Sequence, residues 1–544
     1  MRQVDVSEIA RERFDVCIVG AGPVGLSLAV ELGRLGRTVL VLESGGGSRH
    51  SVPSAPTDIV NPAAHAPLAL ATAQGIGGTS ALWGGRCLPL DGVDFSARPG
   101  RPGDGWPITE QDVQPYYDRA AEYLGCGPAT FTDDAGDRAA PLLADAVDIN
   151  RLERWCADPF TPRNLKGRPG TEKVTIAVNA HVAALEISNA DGRIEAVRIA
   201  RPAGSRFANA GVFVLACGGL ETVRVLLETR ATGNPGLFGG DAGPLGRFYM
   251  GHLSGSVATL VLDWPSDAAL FDYRAQDRSV SRRRFTFTAE GLLARRLPNI
   301  SFYPANPKLG DVSHRNGLLS ALFLLLSTPV IGRRLISDAI RLSQLGETPA
   351  YGRHFLNVAL DLPAALWGLQ SLAYQRFVEG RRKPFFFLKS RDGRYPLHYH
   401  AEHQPNADSR VWLTRSDDER GGRLSIDLRF GDADAEGIER AHRSLDRGLR
   451  RAGFGRLEFD PDPAGLQQSI LAQARDGFHQ IGLTRMGLDQ ADGVVDRDCR
   501  VFGLSNLFLA GSGVFRTSGQ ANPTFFAVAL AMRLARNLAK EPVQ

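Results

Sequence analysis

Hydrophobic and polar positions near the N-terminus follow a strand pattern and then a helical pattern. An apolar run at residues 14–19 leads through Gly20, Gly22, Pro23, Val24 and Gly25 into a helical pattern over residues 26–35. A second apolar run, residues 38–42, ends on Glu43. Strand, Gly-rich turn, helix and strand in this order predict a parallel βαβ unit.

The same pattern returns later in the chain. Residues 173–200 are rich in β-formers, with a turn at residues 189–192 between two alternating strands. A buried strand at residues 213–217 then runs through Cys217, Gly218 and Gly219 into a helix ending at residue 227. This second βα unit predicts that the chain rejoins the first sheet.

The middle of the chain has a different character. Alternating strands are predicted at residues 281–288, 411–414 and 423–430. The segment 434–452 reads as an amphipathic helix that places Ile438, Ala441, Leu445, Leu449 and Ala452 on one face. Earlier, a turn and N-cap at residues 105–109 predict a helix over residues 112–124. These patterns indicate an antiparallel sheet with helices.

Near the C-terminus a Gly-rich stretch, residues 511–524, runs into an apolar helix over residues 525–538. Pro523 is the residue type that best opens a helix, which puts Asn522 at or next to the N-cap. The amide of Asn522 is therefore expected at the positive end of a helix dipole, where an anion is stabilised.

Together these patterns predict an α/β protein with two domains. A discontinuous Rossmann-type domain covers residues 1–95, 171–253 and 464–544, and an α+β substrate domain covers residues 96–170 and 254–463. An apolar helical insertion occupies residues 311–384 of the second domain.

Composition and charge narrow the function. The net charge is only +4 over 544 residues, and the sequence has no dense run of basic residues. It therefore does not predict nucleic-acid binding. The six cysteines are scattered without CxxC spacing, so reduced thiols in the cytoplasm are expected and no metal or iron–sulfur site is predicted. Residues 1–13 lack the apolar region of a secretory signal, and no apolar stretch is long enough to span a membrane.

Two Gly-rich segments are candidates for binding a dinucleotide. Glu43 stands where a carboxylate binds a ribose 2′-hydroxyl and rejects a 2′-phosphate, which leaves FAD or NAD. Residues 75–87 concentrate glycines and hydroxyls that suit a backbone approaching a flat ring or a pyrophosphate. Taken alone, this second segment could equally be a Gly-rich surface loop.

These motifs resemble those of the glucose–methanol–choline (GMC) flavoprotein oxidoreductases. The resemblance is carried by the first GxGxxG with Glu43, the Gly77-Gly78-Thr79-Ser80 loop, Cys217-Gly218-Gly219, and His479-x-x-Gly482 followed by Ser518-Gly-x-x-Asn522-Pro523. It spans both halves of the nucleotide domain, and the middle third matches loosely. The Gly-Gly-Thr-Ser-x-x-Trp loop and the Asn-Pro-Thr ending are most similar to the branch of pyranose oxidases and glycoside 3-oxidases.

The resemblance implies a bipartite fold like that of p-hydroxybenzoate hydroxylase, a bound FAD, and His479 and Asn522 as a catalytic pair facing the flavin. His479 would take the hydroxyl proton while the hydride passes to flavin N5, and Asn522 would hydrogen-bond the same oxygen. Some relatives tether the flavin through a histidine where this chain has Leu82, so non-covalent FAD is expected. The implied cofactor-binding residues are Gly20, Gly22, Pro23, Val24, Gly25, Glu43, Ser44, Gly77, Gly78, Thr79, Ser80, Trp83, Gly84, Gly85, Val182, Cys217, Gly218, Gly511, Pro523 and Thr524.

The chemistry of alcohol oxidation agrees with this implication. Hydride loss from a carbinol carbon requires a base at the hydroxyl, and histidine suits that role near neutral pH. The alternative without a catalytic role is that His479 is a hydrogen-bonded histidine of the core. Arg485 could bind a flavin phosphate or pair with an acid, and His252 is expected to pack near the flavin. His398, His400 and His403 lie on a predicted strand as solvated or pocket-lining groups, and no metal site is predicted.

Residues 311–384 are not explained by the resemblance. Two apolar runs, residues 318–331 and 355–374, are followed by basic groups: Arg333 and Arg334 after the first, and Arg376, Arg381, Arg382 and Lys383 after the second. The favoured interpretation is a pair of buried helices that wall the substrate pocket or a subunit interface. The alternative is a hairpin in the membrane interface, with the arginines and Trp367 at its polar rim.

The sequence therefore predicts FAD-dependent oxidation of a CH–OH group, of a sugar or glycoside, with dioxygen or a quinone as electron acceptor. Two alternatives stay open: a quinone-linked dehydrogenase at the membrane surface acting on an apolar or lipid-linked alcohol, and a lyase on the same fold. A cytoplasmic location, with peripheral membrane contact in the first alternative, is expected. The sequence leaves the oligomeric state open.

Overall fold

The fold is that of a computed structural model. It describes residues 1–9, 13–46, 56–99, 101, 105–188, 192–201, 204–276, 279–336, 338–346, 350–377, 386–414, 422–459 and 465–540. Residues 189–191 of the predicted turn, and Arg381, Arg382 and Lys383, lie outside the described residues. Within them, no helix combines the length and hydropathy needed to cross a bilayer.

The described residues contain strands that group into six sheets. The strands are β1 (Arg2–Asp5), β2 (Phe14–Val19), β3 (Val39–Leu42), β4 (Thr57–Ile59), β5 (Arg86–Cys87), β6 (Val147–Asp148), β7 (Leu152–Trp155), β8 (Val174–Val178), β9 (His181–Ile187), β10 (Ile194–Ala200), β11 (Arg206–Ala208), β12 (Ala210–Leu215), β13 (His252–Leu262), β14 (Arg274–Gln276), β15 (Ser279–Arg283), β16 (Thr286–Phe287), β17 (Ile300–Pro304), β18 (Arg394–Glu402), β19 (Arg410–Thr414), β20 (Arg423–Asp427), β21 (Gly455–Phe459) and β22 (Leu507–Leu509).

The α-helices within the same residues surround these sheets. They are α1 (Pro23–Arg34), α2 (Leu68–Ala71), α3 (Tyr117–Leu124), α4 (Ala140–Leu143), α5 (Thr161–Leu165), α6 (Gly219–Thr232), α7 (Ala289–Ala294), α8 (Gly317–Ser327), α9 (Pro329–Leu335), α10 (Asp338–Leu345), α11 (Tyr351–Leu360), α12 (Leu362–Phe377), α13 (Asp432–Arg451), α14 (Leu466–Gln473) and α15 (Thr524–Leu538).

The first sheet has six parallel strands in the order β1-β8-β3-β2-β12-β22. Its central strands are continuous apolar runs, the pattern of a sheet that is buried on both faces. Helix α1 packs on this sheet, and β10 of the three-stranded sheet β11-β10-β9 contacts β12. Helices α1 and α15 pack against each other. The predicted βα units at residues 14–35 and 213–227 are thus confirmed as parts of one parallel sheet, and the α/β fold class is confirmed.

The second large sheet is antiparallel, with the order β17-β18-β13-β21. Helix α13 packs on it through the predicted apolar face, of which Ile438, Ala441, Leu445 and Leu449 are fully buried. An antiparallel sheet in this part of the chain is confirmed, but the strands predicted at residues 281–288, 411–414 and 423–430 lie in other sheets. A smaller sheet joins β4 to β20 and β19, and Val411 and Leu424 pack with the core of the first sheet. The domain boundaries stay a prediction.

One predicted helix starts later than its sequence pattern suggested. The helix predicted over residues 112–124 is α-helical only from Tyr117, and residues 110–112 and 114–116 form 3₁₀ turns. Pro115 explains the difference, because it lacks an N–H and disfavours helical backbone in the residue before it.

The insertion at residues 311–384 contains helices α8 to α12 and a small core of its own, formed by Leu309, Leu319, Phe323 and Leu326. Within a single chain the second apolar run is not buried as predicted, and its place in a subunit interface stays a prediction. Helices α11 and α12 expose much of their apolar surface, because only one side of each rests on α8.

Candidate active site

The carboxyl ends of four parallel strands meet at one edge of the six-stranded sheet. Strand β2 is followed by Gly20, β3 by Glu43, β12 by Ala216 and β22 by Ala510. Gly20 has a φ of +106°, and a Cβ there would lie 2.6 Å from the carbonyl oxygen of Ala216, so this crossing requires glycine. In open α/β sheets, ligands bind at this edge.

The Gly-rich turn opens helix α1 at that edge. Gly22 is the N-cap, and Pro23 and Val24 are the first helical residues. A Cβ on Gly25 would lie 2.1 Å from the carbonyl oxygen of Gly20, which keeps the helix close to the strand. A Cβ on Gly22 would have no neighbour within 4 Å, so its backbone faces open space at the positive end of α1.

The second Gly-rich loop lies against the first. The amide of Gly77 donates to the carbonyl oxygen of Ala21 at 2.8 Å, and a Cβ on Gly78 would approach the Cα of Gly22 to 3.0 Å. The two loops therefore form one surface. The other predicted residues of this loop differ in exposure: Thr79 and Gly84 are exposed, Trp83 is half-buried, and Ser80 and Gly85 are buried.

Glu43 links the two loops through hydrogen bonds. Its Oε2 accepts a hydrogen bond from the amide of Ala21 at 2.9 Å, and its Oε1 accepts from the amides of Gly45 at 2.9 Å and Gly75 at 2.8 Å. Ser44 beside it is half-buried. The carboxylate is buried among backbone donors, and its contact with a ribose hydroxyl stays a prediction.

The remaining predicted cofactor residues border the same edge. Strand β9 starts just after Ala180, whose amide donates to the carbonyl oxygen of Glu43 at 2.8 Å. A Cβ on Gly511 would have no neighbour within 4 Å, like that on Gly22. The others lie as follows: Val182 on β9, Cys217 and Gly218 after β12, Pro523 at the N-cap of α15, and Thr524 at its first position.

These features fit a bound dinucleotide that carries a flavin. Two glycines that face open space, one at a helix N-terminus, leave room for a pyrophosphate against the backbone. Close to the N-terminus of α15, Oδ1 of Asn522 is buried without a hydrogen-bond partner among the described residues. Such an orphaned acceptor is costly unless a ligand or water supplies a donor.

His479 and Asn522 lie side by side in front of α15. The Nε2 of His479 is 3.0 Å from the Nδ2 of Asn522, and the Nδ1 of His479 is 2.9 Å from the Oδ2 of Asp476. These partners place the ring proton on Nδ1 and leave a lone pair on Nε2. Asn522 precedes the Pro523 cap and bonds His479 with its side chain rather than capping the helix.

Asp476 is held by the backbone as firmly as by the imidazole. Its Oδ2 accepts from the amide of His252 at 2.6 Å, and its Oδ1 accepts from the amides of Phe478 at 2.9 Å and His479 at 3.2 Å. The carboxylate therefore fixes the His479 loop and the His479 ring together.

His252 lies behind His479. The Nε2–H of His252 donates to the carbonyl oxygen of Ser518 at 3.3 Å, and the Nδ1 of His252 is 3.0 Å from the Nδ1 of His479. The Nδ1 proton of His479 thus lies between Asp476 and His252. The ligand atoms of these three residues are close enough for a metal, but hydrogen bonds already join them.

Burial sets the charge of these groups. The pKa of His252 is lowered to about 4, because burial outweighs the attraction of the Asp476 carboxylate. Burial alone would raise the pKa of Asp476, but the charge and hydrogen bonds of His479 and His252 bring it far below its usual range. At neutral pH Asp476 is therefore ionised and His252 is neutral.

One face of the antiparallel sheet presents polar side chains to this site. Ser254 on β13 and Ser301 on β17 both lie opposite His400 on β18 in the register. The next row on the same face joins Ser256, His398 and Tyr303. The rings of His400 and His252 stack with centroids 4.4 Å apart, so this polar face adjoins the histidine pair.

The histidines on this face are neutral. Burial, followed by the charges of Arg86 and Arg282, lowers the pKa of His398 to about 3. Burial and the neighbouring His252 keep the pKa of His400 well below its ordinary value. The expectation of a solvated strand is wrong for His400 and for His403, because both side chains are buried.

Two predictions near the site have clear outcomes. Of the alternatives for Arg485, pairing with an acid is observed, because its Nη2 lies 3.3 Å from the Oδ1 of Asp492. All six cysteines are free, as expected, although Cys87 and Cys156 bring their sulfurs within 3.5 Å.

Sequence reasoning missed Asp476. The only signal was an acid three residues before His479 at the start of a loop, which many unrelated turns share.

Comparison with known proteins agrees with this architecture. A profile described as "GMC oxidoreductase" matches residues 405–531, and one described as "FAD binding domain" matches residues 13–52. A C-glycoside 3-oxidase of Arthrobacter globiformis is 36% identical over 105 residues, which cover 19% of this chain and 20% of that protein. A pyranose 2-oxidase of Lyophyllum shimeji is 38% identical over 61 residues, which cover 11% of this chain and 10% of that protein.

The matches to these curated relatives thus span a quarter or less of their length. Over nearly the whole chain, the structure is similar to that of a pyridoxine 4-oxidase from Mesorbium loti. The TM-score is 0.55 at 18% identity, covering 96% of this chain and 99% of that one. At that identity the likeness concerns the fold alone.

Proposed function

We propose that the chain is a GMC oxidoreductase, an FAD-dependent enzyme that oxidises a CH–OH group, and that its substrate is a sugar or glycoside. The observation that carries this proposal is the arrangement of Asp476, His479 and Asn522 in front of helix α15. It combines an oriented base, an amide and a helix N-terminus, which are the groups that alcohol oxidation requires.

The cofactor would lie along the edge formed by the two Gly-rich loops, with its phosphates at the N-terminus of α1 beside Gly22. When bound, FAD supplies a two-electron acceptor for the hydride that leaves the substrate carbon. Leu82 offers no nucleophile for a covalent link, so non-covalent binding is part of the proposal.

The base in this mechanism is Nε2 of His479. A substrate hydroxyl would donate its hydrogen bond to this lone pair, in place of the contact now made by Asn522. Asp476 holds the proton on Nδ1 and stabilises the imidazolium that forms once the hydroxyl proton moves to Nε2. The Nδ2 of Asn522 would then donate to the same substrate oxygen.

The polar face of the antiparallel sheet supports a hydroxyl-rich substrate. Serine and histidine side chains occupy consecutive rows of this face, where an enzyme for an apolar alcohol would be expected to present aliphatic groups. Neutral His398 and His400 can each donate and accept a hydrogen bond, which suits sugar hydroxyls.

The sugar and glycoside oxidases among the relatives support dioxygen as the electron acceptor. A quinone-linked dehydrogenase and a lyase are the competing functions. An anaerobic screen of sugars, glycosides, cyclitols and sterols, followed by the visible absorbance of the flavin, separates them. Bleaching by sugars with rapid return of colour in air is expected, and slow return with fast reoxidation by quinone would indicate the dehydrogenase. Turnover of a substrate without bleaching would refute oxidation and favour the lyase.

A further inference from the structure

Helix α11 buries polar side chains and exposes apolar ones. Its inner side buries two polar side chains: the Nδ1 of His354 lies 3.0 Å from the Oγ of Ser320, and the Nδ2 of Asn357 donates to the same oxygen at 3.2 Å. Its outer side carries Phe355, which is 62% exposed, and Leu360, which is 77% exposed. A water-facing helix has the opposite arrangement.

Helix α12 continues this outer surface. Ala365 and Gly368 face α8, and a Cβ on Gly368 would lie 2.5 Å from a methyl carbon of Leu318. Leu366 is exposed on the other side, and Trp367 is 73% exposed. Contiguous exposed apolar side chains on one surface mark an interaction site.

Basic residues outnumber acids along these helices. From residue 350 to residue 383 the sequence contains two acids, Asp361 and Glu379, and the Oδ2 of Asp361 accepts a hydrogen bond from the amide of Gly317 at 2.9 Å. The same stretch of sequence contains five basic residues: Arg353, which is exposed, Arg376, Arg381, Arg382 and Lys383. Its net positive charge favours an anionic partner.

Exposed aromatic residues on these two helices point to a lipid interface. Tyr351, Trp367 and Tyr374 are exposed, and each combines an apolar ring with a polar atom, the composition found at headgroup depth. None of the described helices is long and apolar enough to cross a bilayer, so the contact would be peripheral.

The insertion also lies beside the catalytic loop. Helix α10 packs against α2. Just before α2, the amide of Ala66 donates to the carbonyl oxygen of Asp476 at 2.7 Å. Helix α10 of the insertion therefore adjoins the chain segment that bonds the loop holding His479.

We propose that the outer face of α11 and α12, formed by Phe355, Leu356, Leu360, Leu362, Leu366 and Trp367, docks on the surface of an anionic lipid bilayer. The apolar side chains of this α11–α12 face enter the headgroup boundary, and the exposed Arg353 contacts anionic lipid. The contact is independent of the reaction, and it brings the active site close to lipid-dissolved acceptors or lipid-linked glycosides.

Flotation of the purified holoenzyme with vesicles tests the proposal. Vesicles containing phosphatidylglycerol are compared with pure phosphatidylcholine, each at low and high salt. We expect the enzyme to float with the anionic vesicles at low salt, and a smaller bound fraction at high salt or on phosphatidylcholine. The double variant Leu360→Ser/Trp367→Ser should lower the partition coefficient by about tenfold or more, because it removes two deeply inserted side chains.

Trp264→Ser is the matched control, because Trp264 is 63% exposed but lies outside the insertion. It should float like the unmodified enzyme, and all three proteins should oxidise a water-soluble substrate at the same rate. A holoenzyme that stays at the bottom of the gradient with anionic vesicles at low salt overturns the proposal. So does a dimer, seen by light scattering, that the double variant converts to monomer, since a second copy would then cover the face.

Discussion

His479 presents its lone pair on Nε2 because Asp476 holds the ring proton on Nδ1. Replacing it with alanine removes the base but leaves the cofactor edge intact. His479→Ala should keep its FAD and lose about 10²–10⁴ in the rate of anaerobic flavin reduction, since that is the usual contribution of a general base. Asn522→Ala should lose less, because the N-terminus of α15 still faces the site.

Stopped-flow absorbance of the flavin measures both rates, and added imidazole should restore part of the activity of His479→Ala only. A His479→Ala enzyme that reduces its flavin at the unmodified rate would show that another residue is the base.

Asp476 tests whether orientation matters as well as basicity. In Asp476→Asn, the new side-chain N–H faces one of the N–H groups that now donate to the carboxylate. The His479 ring is then free to carry its proton on Nε2 instead of Nδ1. We expect the reduction rate at saturating substrate to fall by about 10²–10⁴ with little change in substrate affinity. FAD content and melting temperature serve as controls, and a variant that loses only stability would make Asp476 merely structural.

At the scale of elements, the βα turn before α1 allows a specific prediction about the affinity for FAD. Gly22 has ordinary backbone angles, and a Cβ there would meet nothing within 4 Å. Gly22→Ala should therefore fold and melt like the unmodified apoprotein, yet bind FAD at least about tenfold more weakly, because the methyl group occupies the place of the phosphates. Titration of the apoprotein with FAD, followed by protein fluorescence, gives the two dissociation constants.

Gly352→Ala is the matched control, since a Cβ on Gly352 also meets nothing within 4 Å and the residue lies in α11. Equal FAD affinity of the two variants would place the phosphates elsewhere.

Helix α13 contributes an acid-sensitive element to the core. Its His442 is fully buried, and burial lowers the pKa of the imidazole to about 4, against a backbone hydrogen bond to Ile438 that raises it. The unfolded chain binds a proton at this imidazole more readily than the folded chain does. The free energy of unfolding is therefore highest above the ordinary pKa of histidine, and it decreases as the pH falls toward the pKa of His442 in the folded protein. The loss for this residue is about 2 kcal/mol between about pH 8 and about pH 5.

Urea unfolding of the enzyme and of His442→Leu at both pH values measures this contribution. The free energy of unfolding of the variant should depend less on pH by that amount. An unchanged pH dependence would mean that His442 is already neutral in the unfolded chain or protonated in the folded one.

The sequence predicted those elements whose physics is local. Strands β2, β3 and β12 are unbroken apolar runs ended by glycines, so both the strands and their shared ligand-binding edge follow from pattern alone. The face of α11 could not be predicted, because hydrophobic periodicity finds an apolar side without saying which side is buried. Asp476 could not be predicted from the sequence either, because its role depends on His252, which is distant in the sequence.

At the scale of the whole molecule, the proposed FAD site is assembled from distant parts of the chain. The edge joins turns after β2, β3, β12 and β22, and its links are hydrogen bonds and packing. We expect acid precipitation to release all the yellow colour into the supernatant, because Leu82 cannot tether the flavin. Absorbance of pellet and supernatant measures it, and colour retained in the pellet would reveal a covalent attachment to another residue.

Bound FAD should also raise the melting temperature of the whole protein, by an amount that grows with the logarithm of the free FAD concentration once the site is nearly full. At a free concentration of about 100 times the dissociation constant, the gain is about 2.7 kcal/mol. Thermal unfolding of holoprotein and apoprotein checks this, and equal melting temperatures would mean that FAD does not link the distant segments.

The place of β22 in the parallel sheet has a consequence for biosynthesis. Strand β22 pairs with the edge of β12, and α15 packs on α1, yet residues 507–538 leave the ribosome about three hundred residues after β12. Until then, the nascent sheet exposes an unpaired strand edge and an uncovered apolar helix, a state prone to aggregation. Such long-range pairing also slows folding. Production of this protein should therefore depend on chaperones that shield the first sheet during translation, and on slow synthesis at low temperature.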